Sequence, residues 1–208
     1  MYIPLTCENL KATALIDLGD HCQLYIITPP QIDLEPFAVI FEEALERFQP
    51  ACVQLRLPDA SEGEWRLATE RLMPLAQGRD IAFLLSEQAG LVAEFDCDGV
   101  HVGEGRLTVA EARTIVGPDR SVGVSCGGSR HAAMQAAEAG ADYVSFGPFF
   151  PSPTKPQVTD LADIEILSIW SEVTTVPSVA IGGVTPDNAR SLADAGADFV
   201  AMVSGVWR

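Results

Sequence analysis

AGADYV at residues 139–144 returns as AGADFV at 195–200, and CDGVHV at 97–102 is a looser copy of both. Each closes an Ala-rich stretch of helical spacing and opens a short apolar strand, so an αβ unit is used repeatedly along the chain. Outward from these copies, apolar runs rich in β-branched residues predict strands at 23–28, 51–56, 82–86, 99–102, 121–126, 143–146, 178–181 and 199–203. Amphipathic stretches between them predict helices at 36–48, 62–77, 90–94, 109–116, 129–139, 161–171 and 186–195, with start signals such as Thr108 and Thr185-Pro186. Eight continuous apolar strands separated by helices point to a parallel sheet covered on its outer side, and right-handed crossovers that close on themselves give a (β/α)8 TIM barrel of one domain, residues 1–208. An open doubly wound sheet is the competing reading. It lacks its dinucleotide fingerprint, because Thr28-Pro29-Pro30 follows the first strand where GxGxxG belongs. The sequence stops at Trp207-Arg208, just past strand eight: either the last helix is absent, or the N-terminal extension, residues 1–20, packs on the barrel and covers that side.

With 208 residues, 48% of them apolar, the chain can bury one substantial core. Thirteen basic against 29 acidic residues leave a net charge of −16, a field that repels nucleic acid and acidic lipid headgroups. A small anionic substrate remains compatible with it, since a pocket needs only a local cluster of cations and backbone N–H donors. The five cysteines, Cys7, Cys22, Cys52, Cys97 and Cys126, are widely spaced without a CxxC pair, and read as reduced thiols of a cytoplasmic protein. No run reaches the length of a membrane span. Homo-oligomerisation is left open by the pattern.

In a barrel of this kind chemistry sits where strands end. Strand two ends with Gln54 and Arg56 on one face; strand three with Ser86 and Glu87; strand four with Gly103, Glu104, Gly105 and Arg106; strand five with Ser125. The strand-six loop, GADYVSFGPFFPSPTKP at 140–156, carries Ser152, Thr154 and Lys155, and Lys11 is the only other lysine of the chain. Gly182-Gly183 and Ser204-Gly205 follow strands seven and eight, where barrels often hold a phosphate on main-chain amides.

VQLR (53–56), DGVHVG (98–103), GVS (123–125), the strand-six loop, VAIGGVTPDN (179–188) and GADFVAMVSG (196–205) together resemble the thiamine phosphate synthase family, in order and spacing, over about three quarters of the chain. The resemblance implies a (β/α)8 barrel that joins hydroxymethylpyrimidine pyrophosphate to a thiazole phosphate and releases pyrophosphate, with Mg²⁺ as cofactor. It implies that Gln54 and Arg56 contact the pyrimidine and pyrophosphate, that Ser125 and Lys155 serve the pyrophosphate, and that Thr154, Gly183, Val203 and Ser204 hold the thiazole phosphate. Gly182 belongs with this last group, and Ser86 with the pyrophosphate.

Three positions depart from the family pattern. Pro58 replaces a Lys, Ser86-Glu87 replaces Asn-Asp, and Arg106 stands where the second metal carboxylate is expected. Glu87 is thus the remaining metal candidate, and an Arg cannot ligate Mg²⁺. Two alternatives accompany the synthase reading: a paralogue that binds thiazole phosphate or thiamine phosphate without forming it, and a thiazole tautomerase, whose catalytic His would occupy the position of Pro148.

Other residues are read structurally. His101 and His131 are packing or solvated residues, Trp65, Trp170 and Trp207 pack helices, and Asp142 and Asp198 of the repeat serve turns and stability. Glu42, Glu43 and Glu46 form a solvated helix face.

Overall fold

Every apolar run predicted as a strand becomes one, since a β-branched stretch with side chains needed on both faces is best served by a sheet covered on both sides. The structure, a computed structural model, describes residues 16–103, 107–151 and 160–207. Among these, the strands are β1 Gln23–Ile27, β2 Cys52–Leu55, β3 Ala82–Ser86, β4 Gly99–Val102, β5 Ser121–Ser125, β6 Tyr143–Phe146, β7 Ser178–Ala180 and β8 Phe199–Met202. They alternate with α1 Leu34–Phe48, α2 Glu62–Gln77, α3 Ala89–Phe95, α4 Val109–Val116, α5 Arg130–Glu138, α6 Glu165–Val173 and α7 Pro186–Asp194. All pairings are parallel, and β8 pairs with β1 with Tyr25 opposite Ala201. The sheet is therefore a closed barrel in sequence order, and the open doubly wound alternative is excluded.

Side chains of period two divide the barrel into an inner and an outer set. Tyr25, Ile27, Cys52, Leu84, Tyr143, Val179 and Ala201 cluster about the axis. Their alternates, such as Ile26, Val53, Phe83, Leu85 and Val100, pack outward against the helices in the larger cluster. Trp170 is wholly buried there, edge-on to Phe146 at 5.4 Å, and its indole N–H donates to the Val176 carbonyl at 2.7 Å. Full burial of a side chain of this class stabilises by roughly 1.5–3 kcal/mol. Inside, Gly123 makes room for a ring: a Cβ there would lie 1.9 Å from Cζ of Tyr143, so the tyrosine can cross the axis only because residue 123 has no side chain.

The repeated aspartates tie neighbouring strands at the N-terminal face. Oδ2 of Asp98 accepts from Phe83 N–H at 2.7 Å, Oδ2 of Asp142 from Val122 N–H at 2.7 Å, and Oδ2 of Asp198 from Ser178 N–H at 2.8 Å. Each carboxylate just before an even strand thereby satisfies an amide of the preceding odd strand, far from the C-terminal ends.

Capping boxes start three helices, at Ser61 with Glu64, Thr108 with Glu111 and Thr185 with Asn188. The sixth helix begins at Glu165, four residues later than the apolar pattern suggests. Two bonds explain the delay: Ala162 N–H donates to the Pro148 carbonyl at 2.8 Å, and Asp163 Oδ1 takes the Glu165 N–H at 3.0 Å, competing with helix for that turn. Of the expected N-terminal extension, residues 1–15 lie outside the described residues. Leu18 is buried in the outer core and Asp17 pairs with Arg190 on α7. Past β8, Trp207 packs its ring 5.1 Å from Phe37 and donates its N–H to the Ile27 carbonyl at 2.7 Å.

Candidate active site

The C-terminal ends of the strands enclose a cavity of about 390 Å³. Ile27, Arg56, Gly103, Ser125 and Ser145 line it together with Pro148, Phe150, Gly182, Gly183, Val203 and Ser204. Residues as far apart in sequence as Ile27 and Ser204 meet there because each sits at or just beyond the C-terminal end of a strand.

Arg56 is the charged residue among the described lining. It leaves β2 where its N–H donates to Thr28 Oγ1 at 3.0 Å in place of a main-chain carbonyl, while the Thr28 N–H still donates to the Gln54 carbonyl at 3.0 Å. Burial pulls its pKa below the usual arginine value, while the carboxylates of Asp59 and Glu87 act in the opposite sense. An arginine with this environment stays cationic and is short of water, so an anion entering the cavity meets a weakly screened charge.

Glu87 follows β3 with a left-handed φ of 66°. Its N–H donates to the His101 carbonyl at 2.9 Å, and its Oε1 accepts from Gly103 N–H at 2.6 Å. Its Oε2 is buried without a hydrogen-bond partner. Ser86 is half-buried at the end of β3 and is not part of the cavity lining.

Gly182 and Gly183 have φ of 99° and 64°, the left-handed region that suits glycine. A Cβ on Gly183 would lie 2.5 Å from the carbonyl oxygens of both Phe150 and Pro151, so the strand-seven turn presses against the strand-six loop. Asn188 Nδ2 donates to the Gly183 carbonyl at 3.1 Å and its Oδ1 accepts from Thr185 N–H at 2.8 Å, fixing the turn on the first residues of α7. Val203 and Ser204 approach the same space from β8. Main-chain amides at a helix start with glycines against them suit a phosphate.

Similarity to known proteins follows the same geometry. The thiamine monophosphate synthase family matches residues 24–206, from the first strand to the turn after the last. The chain belongs to that family. It is 52% identical over 186 residues to the thiamine-phosphate synthase of Rhodospirillum centenum, covering 89% of each chain. It is 43% identical over 190 residues to that of Hyphomonas neptunium, covering 89% of this chain and 86% of the other. The solved thiamine phosphate pyrophosphorylase of Pyrococcus furiosus superposes with a TM-score of 0.76 at 30% identity, covering 88% of this chain and 86% of that one.

Set beside the family pattern, the structure brings Arg56, Ser125, Gly182, Gly183, Val203 and Ser204 into one cavity. Gln54 stands one turn of the pleat below Arg56, 4% exposed, with its Oε1 accepting from the Tyr25 hydroxyl at 2.9 Å. Arg106, Glu104, Gly105, Ser152, Thr154 and Lys155 lie outside the described residues. Among the described residues no three His, Cys, Asp or Glu side chains gather to hold a metal. Glu87 Oε2 is a buried carboxylate oxygen without a hydrogen-bond partner, and the Glu87 carboxylate acts on the charge of Arg56. Mg²⁺ in phosphate sites is commonly held by one or two carboxylates plus substrate oxygens, and Glu87 is the one described residue that could serve as such a ligand.

Sequence reading passed over the polar interior beneath the cavity. Tyr25, Tyr143 and His101 are buried at inward positions and joined by hydrogen bonds to Gln54 and Ser125. The signal was present in the period-two register, since polar side chains at 54, 101, 125 and 145 all fall on inward positions. Cys126 is a buried thiol that donates to the Val124 carbonyl and is not among the residues lining the cavity. No helix among the described residues is long and apolar enough to cross a membrane.

Proposed function

We propose that this chain forms thiamine phosphate by joining hydroxymethylpyrimidine pyrophosphate to thiazole phosphate, with release of pyrophosphate. One observation carries the reading: a single cavity is lined by Arg56 and Ser125 together with the Gly182-Gly183 and Val203-Ser204 turns, in a member of the synthase family. These two groups of residues have the chemistry of the two substrates. A desolvated guanidinium opposes the pyrophosphate, and glycine-lined amides next to α7 take the thiazole phosphate.

In this reading the pyrimidine methylene to oxygen bond breaks with its electron pair leaving on pyrophosphate, and the thiazole nitrogen lone pair forms the new carbon–nitrogen bond. No proton has to be removed for that capture, so the catalytic burden falls on charge and alignment. Arg56 neutralises the departing pyrophosphate, and Lys155 of the strand-six loop adds the second cation. Glu87 is the residue that would hold Mg²⁺, and the ion would supply further neutralisation of the leaving group. Arg106, placed by the sequence where the family has a second metal carboxylate, pairs with pyrophosphate directly and replaces part of the metal's charge. The apolar lining from Ile27, Ile181 and Val203 keeps water from capturing the pyrimidine cation.

Purified protein incubated with both substrates, with and without Mg²⁺, tests the proposal. Thiamine phosphate and stoichiometric pyrophosphate are expected, with weaker Mg²⁺ dependence than a synthase bearing two metal carboxylates. Tight binding of thiazole phosphate with no product would support the binding-only paralogue instead. The Arg106→Asp, Glu87→Asp double variant is expected to increase Mg²⁺ dependence, and indifference to the metal would remove Arg106 from the pyrophosphate site.

A further inference from the structure

Beneath the cavity floor, five side chains form a continuous line of hydrogen bonds across the barrel. Tyr25 O–H donates to Gln54 Oε1 at 2.9 Å, Tyr25 and Tyr143 hydroxyl oxygens lie 3.2 Å apart, Tyr143 Oη lies 3.0 Å from His101 Nδ1, and His101 Nε2 lies 2.9 Å from Ser125 Oγ. Gln54, Tyr25, Tyr143 and His101 are all buried, and Ser125 alone of the five reaches the cavity.

The direction of every bond follows from counting protons. An amide carbonyl can only accept, so the single Tyr25 proton is committed to Gln54. Tyr143 must then be the donor in its contact with Tyr25, which uses the only proton it has. The contact between Tyr143 and His101 therefore needs a proton on Nδ1. His101 is 8% exposed and burial is the one resolved influence on it, so the ring is neutral and Nε2 is bare. Ser125 is left to donate to Nε2. Its remaining neighbour in the line, Ser145, donates to Ser125 Oγ at 3.5 Å. Ser125 thus turns toward the cavity an oxygen with a free lone pair and no free proton.

We propose that Gln54, Tyr25, Tyr143 and His101 are positioning residues that fix Ser125 as a hydrogen-bond acceptor, and that the group it receives is the amine of the aminopyrimidine substrate. The substrate assignment rests on the synthase reading; the polarity of the line does not. A phosphate oxygen would meet Ser125 lone pair to lone pair, whereas an exocyclic amine supplies the missing proton. This assigns Ser125 to the ring of the first substrate, leaving the pyrophosphate to the cations. Gln54 determines the direction for the whole line. Its NH₂ in place of its carbonyl would reverse all four bonds and make Ser125 a donor.

The first test is the tautomer of His101, read by ¹⁵N NMR of histidine-labelled protein at neutral pH without any substrate. The proton is expected on Nδ1, and a proton on Nε2 would overturn the proposal whatever the enzyme's activity. The second is Tyr25→Phe, two bonds removed from Ser125. Without the Tyr25 oxygen, Tyr143 turns its proton to His101 Nδ1, the ring proton moves to Nε2, and Ser125 becomes a donor. kcat/KM for the pyrimidine pyrophosphate is expected to fall about tenfold, in line with one lost hydrogen bond, while KM for thiazole phosphate is unchanged. An unaltered tautomer, or equal losses for both substrates, would refute the positioning role. Failure of the synthase reading would show differently, as the expected tautomers in a protein that makes no product. Should Tyr25→Phe not fold, the wild-type tautomer still decides the polarity.

Discussion

Gly183→Ala separates the two reasons for a glycine at the strand-seven turn, conformation and space. Residue 183 has φ of 64°, and an added Cβ would lie 2.5 Å from two backbone carbonyl oxygens. Gly140 provides the control, because its φ is 92° and a Cβ there would meet nothing within 4 Å. Left-handed backbone costs a non-glycine residue about 1–2 kcal/mol, so Gly140→Ala should lower Tm by roughly 3–6 °C in a domain of this size. Gly183→Ala carries that cost and a clash against main chain that no side-chain rotation can relieve. About 1–3 kcal/mol of overpacking strain is added, for a Tm loss of roughly 6–15 °C. Relief would come by opening the gap between the turn and the strand-six loop, which is the proposed phosphate seat. Scanning calorimetry with steady-state kinetics would measure both effects. The variant is expected to raise KM for thiazole phosphate at least tenfold with KM for the pyrimidine substrate nearly unchanged. Equal Tm losses in the two variants, with thiazole phosphate KM untouched, would refute the reasoning.

Lys155→Ala is expected to abolish product formation, and a normal rate would remove the strand-six lysine from the pyrophosphate site. Arg56→Lys keeps a charge but loses the planar fork, so kcat/KM should fall about 10–100-fold, measurable by product assay at saturating thiazole phosphate. Asp142→Ala leaves Val122 N–H without its acceptor and Arg113 without its ion pair, which predicts a loss of about 1–3 kcal/mol in urea melts with kinetic constants unchanged. Burial lowers His101 to a pKa of about 4 in the folded protein, below the ordinary histidine value of about 6.5, so the unfolded chain binds the extra proton in that window. Stability from this group is complete above the unfolded value and is lost as pH falls toward 4, and His101→Gln should flatten that part of the urea-stability profile.

The strands were legible because they are buried on both faces and carry their own punctuation. The repeated AGAD segments mark where β6 and β8 begin, and the structure shows why the aspartate recurs: it satisfies the amide of the strand before it. Ends set by side-chain competition were less legible. Thr28 and Arg56 read as strand, yet Thr28 Oγ1 captures the Arg56 N–H and stops the ladder. The late start of α6 has the same origin, in bonds from Ala162 and Asp163 that an apolar period does not reveal. Closure of the sheet could be argued from eight strands, but only the pairing of β1 with β8 decides it.

The cavity was legible as a set of strand ends, and its floor was not. Gln54 reads as a ligand from its place beside Arg56, because strand periodicity puts both on the inner face. Periodicity does not give height along the axis. One pleat lower, the same inner face is already closed by the Tyr25 and Tyr143 rings, with their centroids 6.2 Å apart. An amide at that depth must find partners inside the protein, and it finds the Tyr25 hydroxyl. His101 was read as packing for an analogous reason: it lies within β4, away from any loop. Burial does make it part of the core, but both ring nitrogens are engaged, one toward Tyr143 and one toward Ser125, so packing alone does not describe it. A barrel interior filled only by aliphatic layers would leave Ser125 free to rotate and to donate or accept as a ligand required. The polar layer in this barrel removes that freedom, and the chemical character of the cavity wall is thereby set by residues buried beneath it.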